Sequence, residues 1–272
     1  MTTPDPNLPT VIALHCSGAT GRQWHRLAAM VSPHAHFIAP DLTGCGADTF
    51  HDGRPVTSLM DEAAPVIEMI DASPGPLHLV GHSYGGAVAL RAALERPNHV
   101  ASLALYEPSA FSLLRGLGAA GNALHDEVAA LAFRIRKQMN EGRHAEAMRG
   151  FYDYWQGEGA WGHLPHDTRL ALAARVLKIP SDFDSLFADA MQLRQLRRLA
   201  IPTLVIMGET SPGPSRMVAD RIARAIPKGR TIELAGAGHM GPVTHREIVA
   251  ATITAHLGFE TPAGSSHATL AA

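Results

Sequence analysis

The chain has 272 residues, 46% of them hydrophobic and 18% charged, enough apolar material for a soluble domain with a sizeable core and one insertion. A formal net charge of -2 leaves no basic excess to hold nucleic acid or an anionic membrane surface, so neither partner is expected. In chain order, short β-rich runs first alternate with helical patterns: TVIALHC (10–16), the helical GRQWHRLAAMV, HFIAPDL (36–42), and a helix near SLMDEAAPVIEMID. LHLVGHS (77–83) follows and opens onto the Ala-rich YGGAVALRAALER. VASLALYE comes next, and the pattern resumes late with PTLVIMG (202–208), a helix around SRMVADRIARAIP, RTIELAG (230–236) and a last helix THREIVAATITAHL. Continuous apolar runs separated by helices are the mark of strands buried on both faces of a parallel sheet, so an α/β fold with about six strands is expected.

Between the strands, residues 112–198 read as helix throughout, in HDEVAALAFRIRKQMNEG, AEAMRGFYDYWQG and DTRLALAARVLKI. The expected organisation is a core from 1–111 and 199–272, with 112–198 as a helical cap or lid. Residues 259–272 are small and polar, and a mobile tail is expected there. Residues 1–9 contain no apolar segment of a secretory signal, and no run of about eighteen apolar residues follows, so no membrane span is expected. Cys16 and Cys45 lie far apart without metal-ligand spacing; they read as small buried hydrophobes, with no metal, no disulfide framework and a cytoplasmic setting. Nothing in the sequence speaks to oligomeric state.

The most informative stretch is Gly81-His82-Ser83-Tyr84-Gly85, a G-x-S-x-G set directly after an apolar strand and before a helix. A strand that turns sharply into a helix strains the central residue, and glycines at 81 and 85 let the flanking elements approach. Ser83 is therefore the candidate nucleophile. A serine hydroxyl needs a base. With sixteen histidines in the chain, position must decide: His239 in AGAGHMGP follows the last strand, on the same sheet edge as Ser83. His82 is one residue from the nucleophile and is expected to point elsewhere; Asp41 looks functional in isolation.

With these motifs the chain resembles the α/β-hydrolase family over nearly all of residues 10–257. LHCSGATGRQW (14–24) looks like the family's oxyanion loop, PDLTGCG (40–46) its Asp-x-x-Gly-x-Gly loop, in which the resemblance makes Asp41 a loop brace, VGHSYGG its nucleophile elbow and GAGHM its histidine loop. Two departures stand out. Only nine residues precede TVIALHC, so the family's initial hairpin is expected to be missing. In MGETSPG (207–213), Ser211 occupies the position where the family commonly places its acid, and serine cannot hold an imidazolium.

That vacancy gives meaning to SLALYEPSAF (102–111), where an apolar strand ends in Glu107, followed by Pro108. A glutamate there needs a partner if it is buried. The strand after the nucleophile helix is the other place from which this fold supplies its acid, and the order Ser83, Glu107, His239 matches. Pro108 is expected to hold Glu107 extended. Two readings stay open beside it: Glu107 as a carboxylate bonded only to backbone, or Glu209 as the acid.

By the resemblance, the oxyanion hole takes the backbone N–H groups of Tyr84 and Ser17. Phe151, Trp155 and Trp161 are candidate pocket walls, although helical spacing also suits packing against the core. The activity implied is hydrolysis, without a cofactor, of a small carboxylic ester or related acyl compound, apolar or aromatic, through an acyl-enzyme. Hydrolysis of a carbon-carbon bond in a ring-cleavage product is the alternative chemistry, which a buried arginine would favour. A ligand-binding hydrolase scaffold without activity is the alternative of another class.

Overall fold

Alternate residues of each central strand face opposite ways, and two apolar layers form as a consequence. The computed structural model describes residues 8–46 and 58–259; the expected tail therefore lies, from residue 260 on, outside the described residues. Ile12 and Leu14 of β1 (Thr10–Leu14), Leu103 and Leu105 further on, and Val205 all join one cluster. Val11, Ala13, Ala104, Leu204 and Ile206 join the other.

After β1, a 3-10 turn (Gly21–Trp24) leads into α1 (His25–Val31), followed by β2 (His36–Ile38). Then come α2 (Leu59–Ala72), β3 (Leu77–His82), α3 (Ser83–Glu95) and β4 (Val100–Tyr106). The intervening helical segment holds a 3-10 turn (Phe111–Gly116), α4 (Gly118–Asn140), α5 (His144–Gln156), α6 (His166–Ala173), α7 (Ile179–Ala188) and α8 (Leu193–Leu196). The chain returns through β5 (Thr203–Gly208), α9 (Gly213–Ala225), β6 (Gly229–Leu234), α10 (Gly241–Thr244) and α11 (Arg246–His256).

All six strands pair in parallel, in the order β2-β1-β3-β4-β5-β6. β1 is buried along its whole length, whereas the edge strands β2 and β6 keep exposed positions. Helices α2, α3 and α9 cover one face and α1 and α11 the other, which completes three layers. The six parallel strands and the α/β architecture agree with the sequence pattern. The continuous helical pattern of residues 167–179 is instead broken: α6 stops, a turn intervenes, and α7 starts afresh with Pro180 in its first turn. Proline has no N–H to continue a helical ladder and a fixed φ suited to beginning one. That restart places Lys178 and Asp182 where they bear on the site.

The order of strands reverses direction between β1 and β3, so the loops after these two strands diverge above the sheet and leave a crevice at their carboxyl ends. Ser17 lies in the first loop and Ser83 begins the helix after the second. No helix among the described residues is long and apolar enough to cross a membrane.

Candidate active site

Ser83, the first residue of α3 directly after β3, has φ 53°, a left-handed backbone that a residue with a side chain adopts only at a cost of about 1 to 3 kcal/mol. The neighbouring glycines show what permits it. A Cβ on Gly81 would lie 2.6 Å from the Gly85 carbonyl oxygen, and one on Gly85 would lie 2.4 Å from that of His15. Gly85 N–H instead donates to the His15 carbonyl at 3.1 Å, which ties the elbow to the loop after β1. Ser83 is left 7% exposed, at the N-terminal end of α3.

His239, in the loop after β6, brings Nε2 to 2.9 Å from Ser83 Oγ and Nδ1 to 2.6 Å from Glu107 Oε2. A carboxylate can only accept, so Nδ1–H donates to Glu107 and Nε2 is free to accept the Ser83 proton. Glu107 is fully buried, and its other oxygen accepts the Gly208 N–H at 2.7 Å. Its backbone is not extended as expected from Pro108. Glu107 has φ 42°, the second non-glycine residue in the left-handed region among those described. The proline disfavours the right-handed helical region for Glu107, and the turn takes the left-handed one. Two lateral contacts complete the set: Ser109 Oγ lies 2.9 Å from Ser83 Oγ, and Ser215 Oγ lies 3.4 Å from His239 Nδ1.

Glu209, the alternative acid, is exposed and accepts the Gly236 N–H at 2.8 Å, bracing the turn after β6. The Ser211 hydroxyl, at the position the family more often fills with an acid, is buried without a hydrogen-bond partner among the described residues. Asp41 accepts the Gly21 N–H at 2.7 Å, consistent with a loop brace.

Tyr84 is the second residue of α3, where an N–H has no partner within the helix. Ser17 lines the crevice beside Ser83. A cavity of about 470 Å³ opens there, lined by Ser17, Ser83 and His239 and walled by Phe151 and Trp155. The Trp155 indole stacks on the His239 imidazole with centroids 4.2 Å apart. Trp161 is not brought to the cavity: it packs edge-on to Tyr152 at 5.8 Å, and its backbone N–H donates to Asp153 at 2.7 Å. Helical spacing alone does not separate these two fates.

His82 does more than sequence reasoning allowed. Its Nε2 lies 2.8 Å from the His239 carbonyl oxygen, so it holds the histidine loop from behind. Adjacency to Ser83 was the only available signal, and alternation across the strand pointed away from the nucleophile. Burial holds the imidazoles of His82, His15 and His256 below the usual histidine range, His256 at about 4. These groups stay neutral in the folded chain, while the unfolded chain takes up protons below about pH 6.5. Their contribution is present above that pH and is lost as pH falls through the lowered folded values. Burial pushes Asp182 up to about 6, which works in the opposite direction for one group against these three imidazoles and that of His78, which burial also lowers. Thermal melts should therefore show a midpoint about 5 °C lower at pH 5 than at pH 7.5; an equal or higher midpoint at pH 5 would contradict this balance.

Cys16 and Cys45 are free and buried, and burial pushes both thiols up to about 12, so neither is poised as a thiolate. Among the described residues, no group of three or more His, Cys, Asp or Glu is arranged to hold a metal.

Curated relatives match part of the chain, two of them as follows. A lipase, LipV, of Mycobacterium tuberculosis is 36% identical over 99 residues, 36% of this chain and 37% of the lipase. A haloalkane dehalogenase of Bradyrhizobium diazoefficiens is 30% identical over 156 residues, 56% of this chain and 44% of the dehalogenase. The matches thus span less than half of each relative. Among solved structures, a hydrolase from Pseudomonas aeruginosa superimposes with a TM-score of 0.73 at 24% identity, covering 92% of this chain and 90% of that one. An enol-lactonase from Burkholderia xenovorans gives 0.70 at 18% identity, covering 93% and 92%. At such identities the likeness is one of fold. A family model described as "Alpha/beta hydrolase family" matches residues 11–252, nearly the whole described chain, and the protein belongs to the alpha/beta hydrolase family.

Proposed function

We propose that the protein is a serine hydrolase of small carboxylic esters or related acyl compounds, with Ser83 as nucleophile, His239 as base and Glu107 as the acid that orients it. The observation that carries this reading is the unbroken chain from Glu107 Oε2 to His239 Nδ1 at 2.6 Å and from His239 Nε2 to Ser83 Oγ at 2.9 Å. Ser83 Oγ forms the bond to the acyl carbon while its proton passes to His239 Nε2. The tetrahedral oxyanion is held by the Tyr84 and Ser17 N–H groups, each worth about 2.7 to 4 kcal/mol of the barrier. As the bond to the leaving oxygen breaks, that oxygen takes the proton from His239. Water then repeats the sequence and frees the acid.

Residues 112–198, with Phe151 and Trp155 over the nucleophile, act in this reading as a lid that limits water and polymer access. No carboxylate lines the 470 Å³ cavity, while Arg22, Arg175 and Arg246 do, so it suits a neutral or anionic group better than a cation. All three arginines are exposed, and no buried one stands beside Ser83 among the described residues, which favours ester cleavage over carbon-carbon cleavage. An inactive binding scaffold would have no use for a strained serine already bonded to an oriented histidine. Purified protein should turn over p-nitrophenyl acetate with saturation kinetics and leave a diketone ring-cleavage product untouched. Faster cleavage of the diketone would replace the ester reading.

A further inference from the structure

A second, much smaller chamber adjoins the nucleophile, with room of about 10 Å³, on the order of one water-sized probe. It is lined by Ser17, Ser83 and Ser109, by the aromatic and aliphatic side chains of Phe111, Phe183 and Leu186, and by Asp182 of α7. His239 lines the large cavity and not this chamber. The distinction assigns the two sides of a substrate. A leaving oxygen must meet His239 to take its proton, so the leaving group occupies the large cavity, and the acyl group extends the other way into the small one.

Asp182 is an odd residue for such a wall. It is 2% exposed, and Lys178 Nζ bonds one of its oxygens, Oδ1. The same ammonium bonds Glu62 Oε2 at 3.0 Å, and Glu62 also accepts the Tyr84 hydroxyl at 3.1 Å and the Thr43 N–H at 2.7 Å. Two carboxylates thus share one buried ammonium, and Glu62 takes two further donors. Asp182 Oδ2 is buried and has no hydrogen-bond partner among the described residues. The Ser17 hydroxyl lies on the same chamber wall and near enough to Asp182 to favour its charged form, but no donor reaches Oδ2 in hydrogen-bond geometry, and a buried acceptor left without one is costly, the more so when charged. The sequence gives no hint of this, since an acid in the first turn of a helix ordinarily faces water and complements the helix dipole.

We infer that the small chamber is the acyl subsite and that Asp182 Oδ2 recognises a hydrogen-bond donor, a hydroxyl or an ammonium, carried on a short acyl group next to the scissile carbonyl. The inference rests on Ser83 being the nucleophile and adds to it the acid half of the substrate. A plain alkyl acyl group of the same size would enter the chamber but leave the carboxylate oxygen unmet. Buried aromatic walls on the remaining sides exclude a longer chain.

Three isosteric phenyl esters separate the possibilities: propionate, hydroxyacetate and aminoacetate, each measured as kcat/KM above its uncatalysed rate. The wild-type protein should prefer at least one donor-bearing ester over the propionate by tenfold or more, the worth of a hydrogen bond to a charged group. Preference for the hydroxyacetate alone names a hydroxyl, and for the aminoacetate an ammonium. In Asp182→Asn the amide oxygen can keep Lys178 while the NH₂ group replaces the acceptor, so any preference for the ammonium should vanish. A retained hydroxyl preference with a lost ammonium preference still supports the assignment, because a hydroxyl can accept from the amide. Equal turnover of all three esters by the wild-type protein overturns the role of Asp182 and leaves the nucleophile assignment standing. Turnover of none, together with no covalent labelling of Ser83, overturns both.

Discussion

Ser83→Ala will abolish both ester turnover and covalent labelling by a fluorophosphonate, which should add one label per wild-type chain. The reason lies in the hydrogen bonds. Among the described hydroxyls, only that of Ser83 pairs with His239 Nε2, whereas Ser215 approaches the other ring nitrogen, Nδ1, at 3.4 Å. Removing a nucleophile of this kind costs about 10⁶ in turnover where it has been measured in a serine protease. The nearest rival is Ser109, whose Oγ lies 2.9 Å from Ser83 Oγ but makes no bond to His239. Labelling that moves to Ser109, or persists anywhere in the mutant at the wild-type rate, would sink the assignment. Folding should survive. The substitution deletes one hydroxyl at the cavity wall and creates no sizeable cavity.

The sequence made the sheet and the elbow legible because both depend on local pattern. Strands buried on both faces must be apolar at every position, as β1 is, and the elbow needs its glycines at fixed offsets from Ser83. His239 could be chosen from sixteen histidines because chain order and the carboxyl ends of parallel strands fix where a base can come from. What escaped was set by contacts across the chain. His82 looked idle because strand alternation says which face a side chain takes, not which loop will fold over that face. Trp155 and Trp161 carry the same local signal, and only the packing of α5 against the histidine loop separates them. Asp182 was invisible for the same reason: its burial arises from where α7 restarts, a tertiary fact.

Glu107→Gln, by contrast with Glu209→Gln, should reduce turnover by about 10⁴ at neutral pH, the loss measured when a triad carboxylate becomes its amide. The two carboxylates are separated by what each side chain already does. Glu107 is fully buried between the Gly208 N–H and His239 Nδ1, so the amide that replaces it will place its oxygen toward Gly208 and its NH₂ toward the imidazole. Nδ1 must then accept, which moves the ring proton to Nε2, where it faces Ser83 and can no longer take the serine proton. The amide also cannot stabilise the imidazolium that forms during the reaction. Shape and the Gly208 bond are retained, so the melting temperature should change little compared with the loss of activity. Glu209 serves a different turn: its exposed side chain accepts the Gly236 N–H, and an amide oxygen can accept that bond as well. Glu209→Gln should stay within about tenfold of the wild-type rate, less than 1.4 kcal/mol in the barrier. If the two results come out exchanged, the acid is Glu209, and the 2.6 Å contact between Glu107 and His239 serves only to hold a loop.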